Sequence, residues 1–452
     1  MDGKSGKRIG RKQFLAGMAT AAAAMLTGGL VKGDWFKEEV ASASKPPASK
    51  TTATEALPAP AANLKDFGAD PTGRKDSSDA FIRAIQWAEN AAAANPAAAD
   101  ADDGNRRGRA RLILPEGSYL ITKPEALMRR SYKTRTLGLT IQGAGRGVTQ
   151  IVYRNKEKGQ YLLHNDDAWM FLGISDIEFV SASADNNFMY SYSEGGAQNY
   201  TFERCLWTGT WNEIFRLEGA NTNSEMTWYH CGFTGHVNKA VYVPGQGGSD
   251  QFLNYNFFAC QFEVSEGDYL VFERGGNINV WGGSLIHRDG SRGGTFFRLL
   301  NGSHSNGVQR FLCIGARFEH RNANSRLIEC EWNDGTVSFI SCDMSSQAYR
   351  LKPGVNAVFR SVNQKMPSIK FQECALMGQH AYQYLNSSWK SPHNVVYEGC
   401  EFTQGQTAED FIVYRDDDAS DHGNAGGLPL VVFRNCRSIG ATNETAFFDT
   451  DY

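Results

Sequence analysis

One six-residue phrase returns along most of this chain: an aromatic or apolar residue, two variable residues, a cysteine or small residue, one variable residue, and a second apolar residue. It is carried by Phe202, Cys205 and Trp207, then by Trp228, Cys231 and Phe233, and by Phe257, Cys260 and Phe262. Four more copies follow at Phe339/Cys342/Met344, Phe371/Cys374/Leu376, Tyr397/Cys400/Phe402 and Phe433/Cys436. Looser copies centred on Ile177, Gly283 and Ala316 fill the gaps, giving spacings from 23 to 36 residues. A second phrase, apolar alternation ending in a turn, falls between them at Phe215–Gly219, Val241–Gly245, Val271–Gly275, Phe297–Asn301 and Tyr349–Pro353.

A strand-and-turn repeat of this length cannot bury a core alone and must stack on copies of itself. A propeller blade needs about 40 residues and four strands, so the spacing favours the coil of a β-helix. Seven of the nine cysteines occupy one place in the repeat, which stacking turns into an interior column. Free cysteine is among the most buried residue types, and the close C-x-x-C spacing of a metal cluster is absent.

The first forty-odd residues read as a signal peptide: Lys4, Lys7, Arg8, Arg11 and Lys12 precede a weakly apolar run from Phe14 to Val31. That run lacks the roughly 20 strongly apolar residues of a membrane span. Arg11-Lys12-Gln13-Phe14-Leu15 is similar to a twin-arginine signal with lysine in the second place, which leaves that route and the general secretory route both open. Cleavage at Ala41-Ser42-Ala43 predicts a secreted bacterial protein, with residues 44–62 as a Pro/Ala/Ser/Thr tether and residues 63–452 as the folded domain. Without residues 1–43 the chain carries 39 basic against 45 acidic residues. A net charge of −6 predicts no nucleic-acid partner and no anionic membrane surface.

Ahead of the repeats, Ala80, Phe81, Ala84, Ile85 and Ala88 recur at helical spacing behind Asp76 or Ser77 as N-cap, predicting a helix that covers the open end. Asp66-Phe67-Gly68-Ala69, Gly73 with Asp76, and Ala84-Ile85-Gln86 resemble the pectate lyase superfamily. So do the strand from Leu112 to Tyr119, through Pro115 and Gly117, and the strand and turn from Leu139 to Gly145. These motifs span residues 63–152; beyond them the resemblance is one of architecture. It implies a right-handed parallel β-helix with an N-terminal capping α-helix. It also implies a superfamily of polysaccharide lyases, hydrolases and phage tailspikes, and so a monomer or homotrimer that meets a polysaccharide or oligosaccharide.

The polygalacturonase pair of GHG and R-x-K is missing, Gly235-His236-Val237 being the nearest approach, as is the acidic calcium cluster of classical pectate lyases. Aligning the coils on the cysteine column instead stacks Glu263, then His287, Arg288 and Asp289, then Arg317, Glu319, His320 and Arg321, then Asp343. Adjacent coils lie about 4.8 Å apart, so carboxylates one or two coils apart reach the separations glycosidases use. Arginine beside them suits a uronate enolate in a lyase. These nine residues are therefore the expected catalytic set, for hydrolysis or elimination; a solvated charge ladder is the alternative.

Arg204 and His230 stack before their cysteines, and Asp416, Asp417, Asp418 and Asp421, with His422 beside them, offer oxygen ligands from the four carboxylates that leave calcium open as a cofactor. Trp207, Trp211, Trp228, Trp281, Trp332 and Trp389 are candidate sugar-stacking rings. A secreted polysaccharide lyase or glycoside hydrolase is the leading expectation, a non-catalytic glycan-binding or adhesive protein the alternative. Charged residues clustered on adjacent coils favour the first, a single aromatic row on a uniform surface the second.

Overall fold

The computed structural model describes residues 60–94, 108–128, 137–166, 170–192, 199–219, 223, 225–245, 254–288, 292–300, 309–322, 324–344, 355–360, 366–384, 394–402, 411–416, 430–439 and 445–451. The expected signal peptide, nearly all of the tether, Asp289, the turn at Tyr349–Pro353, Trp389, and the acidic segment past Asp416 lie outside them.

The sharpest feature of each coil is a bend made by one residue. Immediately before every cysteine-column position stands a residue in the left-handed region: Asp176, Arg204, His230, Ala259, Gly282, Gly315, Ser341, Glu373, Gly399 and Asn435, all with φ between 49° and 64°. Seven of the ten are not glycine, and each such placement costs about 1–2 kcal/mol for an L-residue. The backbone ladder offsets that cost by running unbroken through the bend. Arg204 N donates to Tyr229 O at 2.9 Å, His230 N to Phe258 O at 2.9 Å, and Ala259 N to Trp281 O at 2.8 Å. Just beyond it, Gly232 N donates to Cys205 O and Gln261 N to Cys231 O.

Stacked bends divide the strands into two parallel sheets. The first gathers the strands before the bend, among them Asn199–Glu203, Met226–Tyr229, Asn254–Phe258, Gly276–Trp281 and Gln309–Ile314. The second gathers those after it, where Leu206–Glu218 and Gly232–Val243 run on around a further corner as single long strands. The architecture is the expected all-β parallel helix.

Registers hold identical inward positions over one another. In the first sheet Leu112, Ile141, Ile174, Phe202, Trp228, Phe257, Val280, Cys313, Phe339, Phe371, Tyr397 and Phe433 form one column. In the second, Phe179, Trp207, Phe233, Phe262, Leu285 and Phe318 form another. Ring centroids 4.3 Å apart at Phe233–Phe262 and 4.5 Å at Trp228–Phe257 show close stacking. Such pairs add about 0.5–1.5 kcal/mol beyond their burial. The second phrase supplies a third column through Met189, Phe215, Val241, Leu270 and Phe297. Leu270, not Val271, takes the inward place there, so that copy is shifted by one residue.

All nine cysteines are buried thiols with no disulfide among them. Each thiol of the repeat donates back to the preceding coil: Cys231 Sγ to Phe202 O at 3.3 Å, Cys260 Sγ to Trp228 O at 3.4 Å, Cys400 Sγ to Phe371 O at 3.4 Å. The column is structural, as its spacing implied. Cys313 and Cys330 fill other core columns.

The chain enters the first sheet at Ala61, two residues ahead of the expected start, and Ala62 pairs with Leu112. Helix α1, Ser78–Ala93, covers that end with Phe81, Ala84, Ile85 and Ala88 inward, and Phe81 meets the edge of Tyr119 at 5.9 Å. Ser77 is its N-cap, yet its hydroxyl accepts from Asp70 N at 3.0 Å, and Asp76 accepts the Ser78 N–H instead. At the far end Thr445–Asp451 pairs antiparallel with Leu430–Ile439. That closing strand satisfies an edge that would otherwise recruit another chain.

Gly282 and Gly283 separate backbone strain from close approach. A Cβ on Gly282 (φ 63°) meets nothing within 4 Å, whereas on Gly283 it would lie 2.1 Å from Cys260 O. Gly282→Ala is expected to lower stability by about 1 kcal/mol through φ alone, and Gly283→Ala by several-fold more, both read from urea midpoints. Equal costs would contradict this account of the bend.

Candidate functional site

Several polar clusters lie on the coils, among them Arg298 with Asp268 and Glu329 at 3.0 and 3.1 Å; two bear on a site, the expected one and one past the corner of the second sheet. The expected cluster divides by strand parity. Val264, His287 and His320 share one register and Phe262, Leu285 and Phe318 another, both inward. His287 and His320 are therefore core residues, 0% and 3% exposed, not groups facing a substrate groove. His287 Nε2 lies 2.9 Å from Gly267 O and must donate to it, so Nδ1 accepts from the Ser325 hydroxyl at 2.5 Å. His320 Nδ1 lies 3.1 Å from the same hydroxyl, while its Nε2 has no partner among the described residues. Burial holds His287 down to about 4; burial, then the neighbouring His287, holds His320 down to about 3.

The outward members form an ion ladder. Glu319 is fully buried beneath Arg317 and Arg321, both of which pair with it, the Arg321 Nε at 2.7 Å. Arg288 holds Glu263 at 2.8–2.9 Å. Asp343 sits in register with Arg317 on the next coil. The structure thus brings Glu263, Arg288, Arg317, Glu319, Arg321 and Asp343 to one face, with Glu263 paired to Arg288 and Glu319 to Arg317 and Arg321.

Of the weaker candidates, Arg204 makes a two-pronged pair with Asp176 at 2.7 and 2.8 Å, which holds that carboxyl below its ordinary range. Exposed His230 packs edge-on against Tyr229 at 4.4 Å. Trp207, Trp211, Trp228 and Trp332 are interior. Among the described residues no three side chains converge to hold a metal ion, and no step is assigned to calcium.

The second cluster lies on the outward face of the second sheet, past the corner, over strands Tyr161–Asp166, Asn187–Tyr192, Leu206–Glu218 and Gly232–Val243. His164, Tyr190, Arg216 and Tyr242 stand in one register, and Glu213 and Lys239 in another. Glu213 and Glu218 are 6% and 8% exposed, and both reach the Arg216 guanidinium, Glu213 at 3.4 Å. Tyr161 donates to Glu213 and Tyr190 to Glu218, each at 2.9 Å. Lys239 Nζ lies 3.8 Å from Glu213 and 3.4 Å from the Tyr242 ring centroid. The His164 ring packs on Tyr190 at 4.7 Å, with Nδ1 3.8 Å from Glu125.

Burial works against the Arg216 charge, but Glu213 and Glu218 more than offset it and hold the guanidinium protonated. Burial, and then the Glu213 charge, push the Tyr161 phenol well above its ordinary value, so it stays a donor. Burial, then Glu273, push Tyr242 up to about 12. Two half-enclosed carboxylates, phenol donors and ring faces on consecutive coils can position a sugar and move protons. The sequence reading missed this face, although Phe215-Arg216-Leu217-Glu218 alternates in a way that sends Arg216 and Glu218 outward together.

The family model described as "Rhamnogalacturonase A/epimerase, pectate lyase-like" matches residues 61–232. That stretch holds Tyr161, His164, Tyr190, Glu213, Arg216 and Glu218 and stops short of Glu263. The resemblance to the pectate lyase superfamily is borne out there. Among solved structures, the chain is similar to the A-module of a mannuronan C-5 epimerase from Azotobacter vinelandii, at 15% identity, 83% of this chain, 94% of that one and a TM-score of 0.38. It is similar to the catalytic unit of an alpha-1,3-glucanase from Streptomyces thermodiastaticus, at 14% identity, 84% and 70% coverage and a TM-score of 0.34. It is also similar to a surface adhesin of Streptococcus pneumoniae, at 10% identity, 84% and 91% coverage and a TM-score of 0.37. No curated protein matches the chain. Among the described residues no helix is long and apolar enough to cross a membrane.

The buried histidines set a pH dependence. Their folded values lie below the ordinary 6.5, so the unfolded chain binds the extra protons. Stability is full above about pH 6.5 and falls towards pH 4, at about 1.4 kcal/mol per pH unit for each histidine. His320→Phe is expected to flatten the urea midpoint against pH between 6.5 and 4; an unchanged slope would contradict the placement.

Proposed function

We propose that this chain is an exported carbohydrate-active enzyme that hydrolyses glycosidic bonds of an extracellular polysaccharide on the face built by Tyr161, Tyr190, Glu213, Arg216, Glu218 and Tyr242. The observation that carries the reading is the pair of nearly buried carboxylates on one guanidinium. A shared guanidinium keeps two carboxyls within roughly 5–9 Å, the span that retaining and inverting glycosidases use. Hydrolysis requires one carboxyl to arrive protonated and give that proton to the leaving oxygen, while the other, ionised on Arg216, activates water or attacks the anomeric carbon; the phenols of Tyr161 and Tyr190 hold both in orientation. Tyr242 offers a flank on which a pyranose can rest.

Hydrolysis is favoured over elimination because elimination needs a cation for the uronate carboxylate as charge builds on it. On this face Arg216 and Lys239 both turn to Glu213. The negative balance of the mature chain likewise suits a neutral or mildly acidic glycan better than a dense polyanion. Export by the N-terminal segment belongs to the same proposal: the substrate is met outside the cell.

The test is a polysaccharide screen of the mature protein that follows reducing ends and absorbance near 235 nm. Reducing ends without new absorbance are expected. Glu213→Gln and Glu218→Gln should each lower turnover on the order of 10²-fold or more, while Glu319→Gln lowers the melting temperature and spares turnover. New absorbance near 235 nm would replace hydrolysis by elimination, and retention on glycans with no product would replace the enzyme by a binding protein.

A further inference from the structure

The outward face of the first sheet, on the other side of the bend, carries a row that the proposed chemistry does not use. Tyr229, Phe258 and Trp281 occupy one register on three consecutive coils, each just ahead of its left-handed residue. Tyr229 and Trp281 are each 42% exposed, and with Phe171, at 41%, they are the most exposed large rings among the described residues. Beside them, two residues back along each strand, run Thr227, Asn256 and Asn279 in register, with Asn279 Nδ2 donating to Asn256 Oδ1 at 3.1 Å.

Inside the solenoid, rings stacked in register on adjacent coils lie between 4.3 and 5.8 Å apart. On this face they stay apart: Tyr229 and Phe258 are 6.5 Å between centroids and tilted by 53°, and Phe258 and Trp281 are 6.4 Å apart at 18°. Coils are spaced about 4.8 Å apart, so these rings are offset sideways and leave part of their faces uncovered.

We propose that this row is a second, non-catalytic binding surface for a neutral polysaccharide chain running along the solenoid axis. Pyranose rings expose apolar C–H faces that rest on aromatic rings, and their hydroxyls match a parallel row of amides and a threonine hydroxyl. The coil spacing is close to the rise of one sugar in an extended chain, so successive residues meet successive rungs. The three rings and the flanking Thr227, Asn256 and Asn279 carry no charge, which selects against a polyanion. A second copy of the chain is a poorer occupant. Three partly exposed rings offer on the order of 300 Å², well short of the ~800 Å² each partner gives to a stable protein interface.

The test is affinity electrophoresis of the full mature chain in gels holding hydroxyethyl cellulose, galactomannan or dextran, with alginate as the anionic comparison. At least one neutral polymer is expected to retard the protein, with little dependence on salt. Trp281→Ala and Tyr229→Ala should each weaken that retardation about tenfold, a loss of about 1.4 kcal/mol, without moving the melting temperature, and Trp281→Phe should restore part of it. Glu213→Gln should be retarded as strongly as the parent, which separates this surface from the proposed catalytic face. The proposal is overturned if no neutral polymer retards the chain, if retardation survives both alanine variants, if alginate alone retards it, or if the ring variants dissociate an oligomer seen by sedimentation.

Discussion

The left-handed residue ahead of each cysteine-column position is the constraint on which the rest of this molecule depends. It turns the chain sharply in one residue without interrupting the parallel ladder, as the bonds from Arg204 N to Tyr229 O and from Gly232 N to Cys205 O show on either side of it. Because the bend recurs in register, the residues before and after it also recur in register. The aromatic columns, the thiols that donate to the preceding coil, and the alternation of inward and outward positions are all consequences. A strained backbone is tolerated at seven non-glycine residues because the ladder on both sides leaves no alternative conformation that keeps its hydrogen bonds.

That same geometry explains what could be read beforehand. The repeat, the parallel solenoid, the cysteine column and the capping helix were legible because each depends on apolar identity at a fixed offset, and Phe202, Trp228 and Phe257 state that offset plainly. The candidate site was less legible because parity matters and identity does not reveal it. His287 and His320 resemble catalytic groups in a string of letters. One position along a strand decides whether such a ring meets solvent or the core, and both fall inward beside Ser325. Glu319 points outward but is roofed by Arg317 and Arg321. Conversely, nothing in the sequence singles out Glu213 and Glu218, because only the pairing of Tyr190 with Arg216 and of Arg216 with Tyr242 reveals that they share a face with phenols.

The outward faces on either side of the bend differ in chemistry for a physical reason. Past the corner, long side chains fold over one another, so carboxylates, guanidinium and phenols become half-buried and can be oriented. Ahead of the bend, on the coils of Tyr229, Phe258 and Trp281, the sheet face carries uncharged amides, a hydroxyl and splayed rings. A half-buried charged cluster suits bond chemistry, and a flat aromatic row suits grip. The proposed division of labour follows from that contrast.

The central claim is that a sugar chain meets the face built on Tyr190, Glu213, Arg216 and Glu218, not the Glu263–Glu319 ladder. Diffraction from crystals of the Glu213→Gln variant soaked with an oligosaccharide from the substrate of the parent protein tests it most directly. The account predicts sugar density across Tyr161, Arg216 and Tyr242, with a glycosidic oxygen within hydrogen-bond reach of residue 213 or 218. Ordered sugar against Arg288, Arg317 and Asp343, with that face empty, would contradict it.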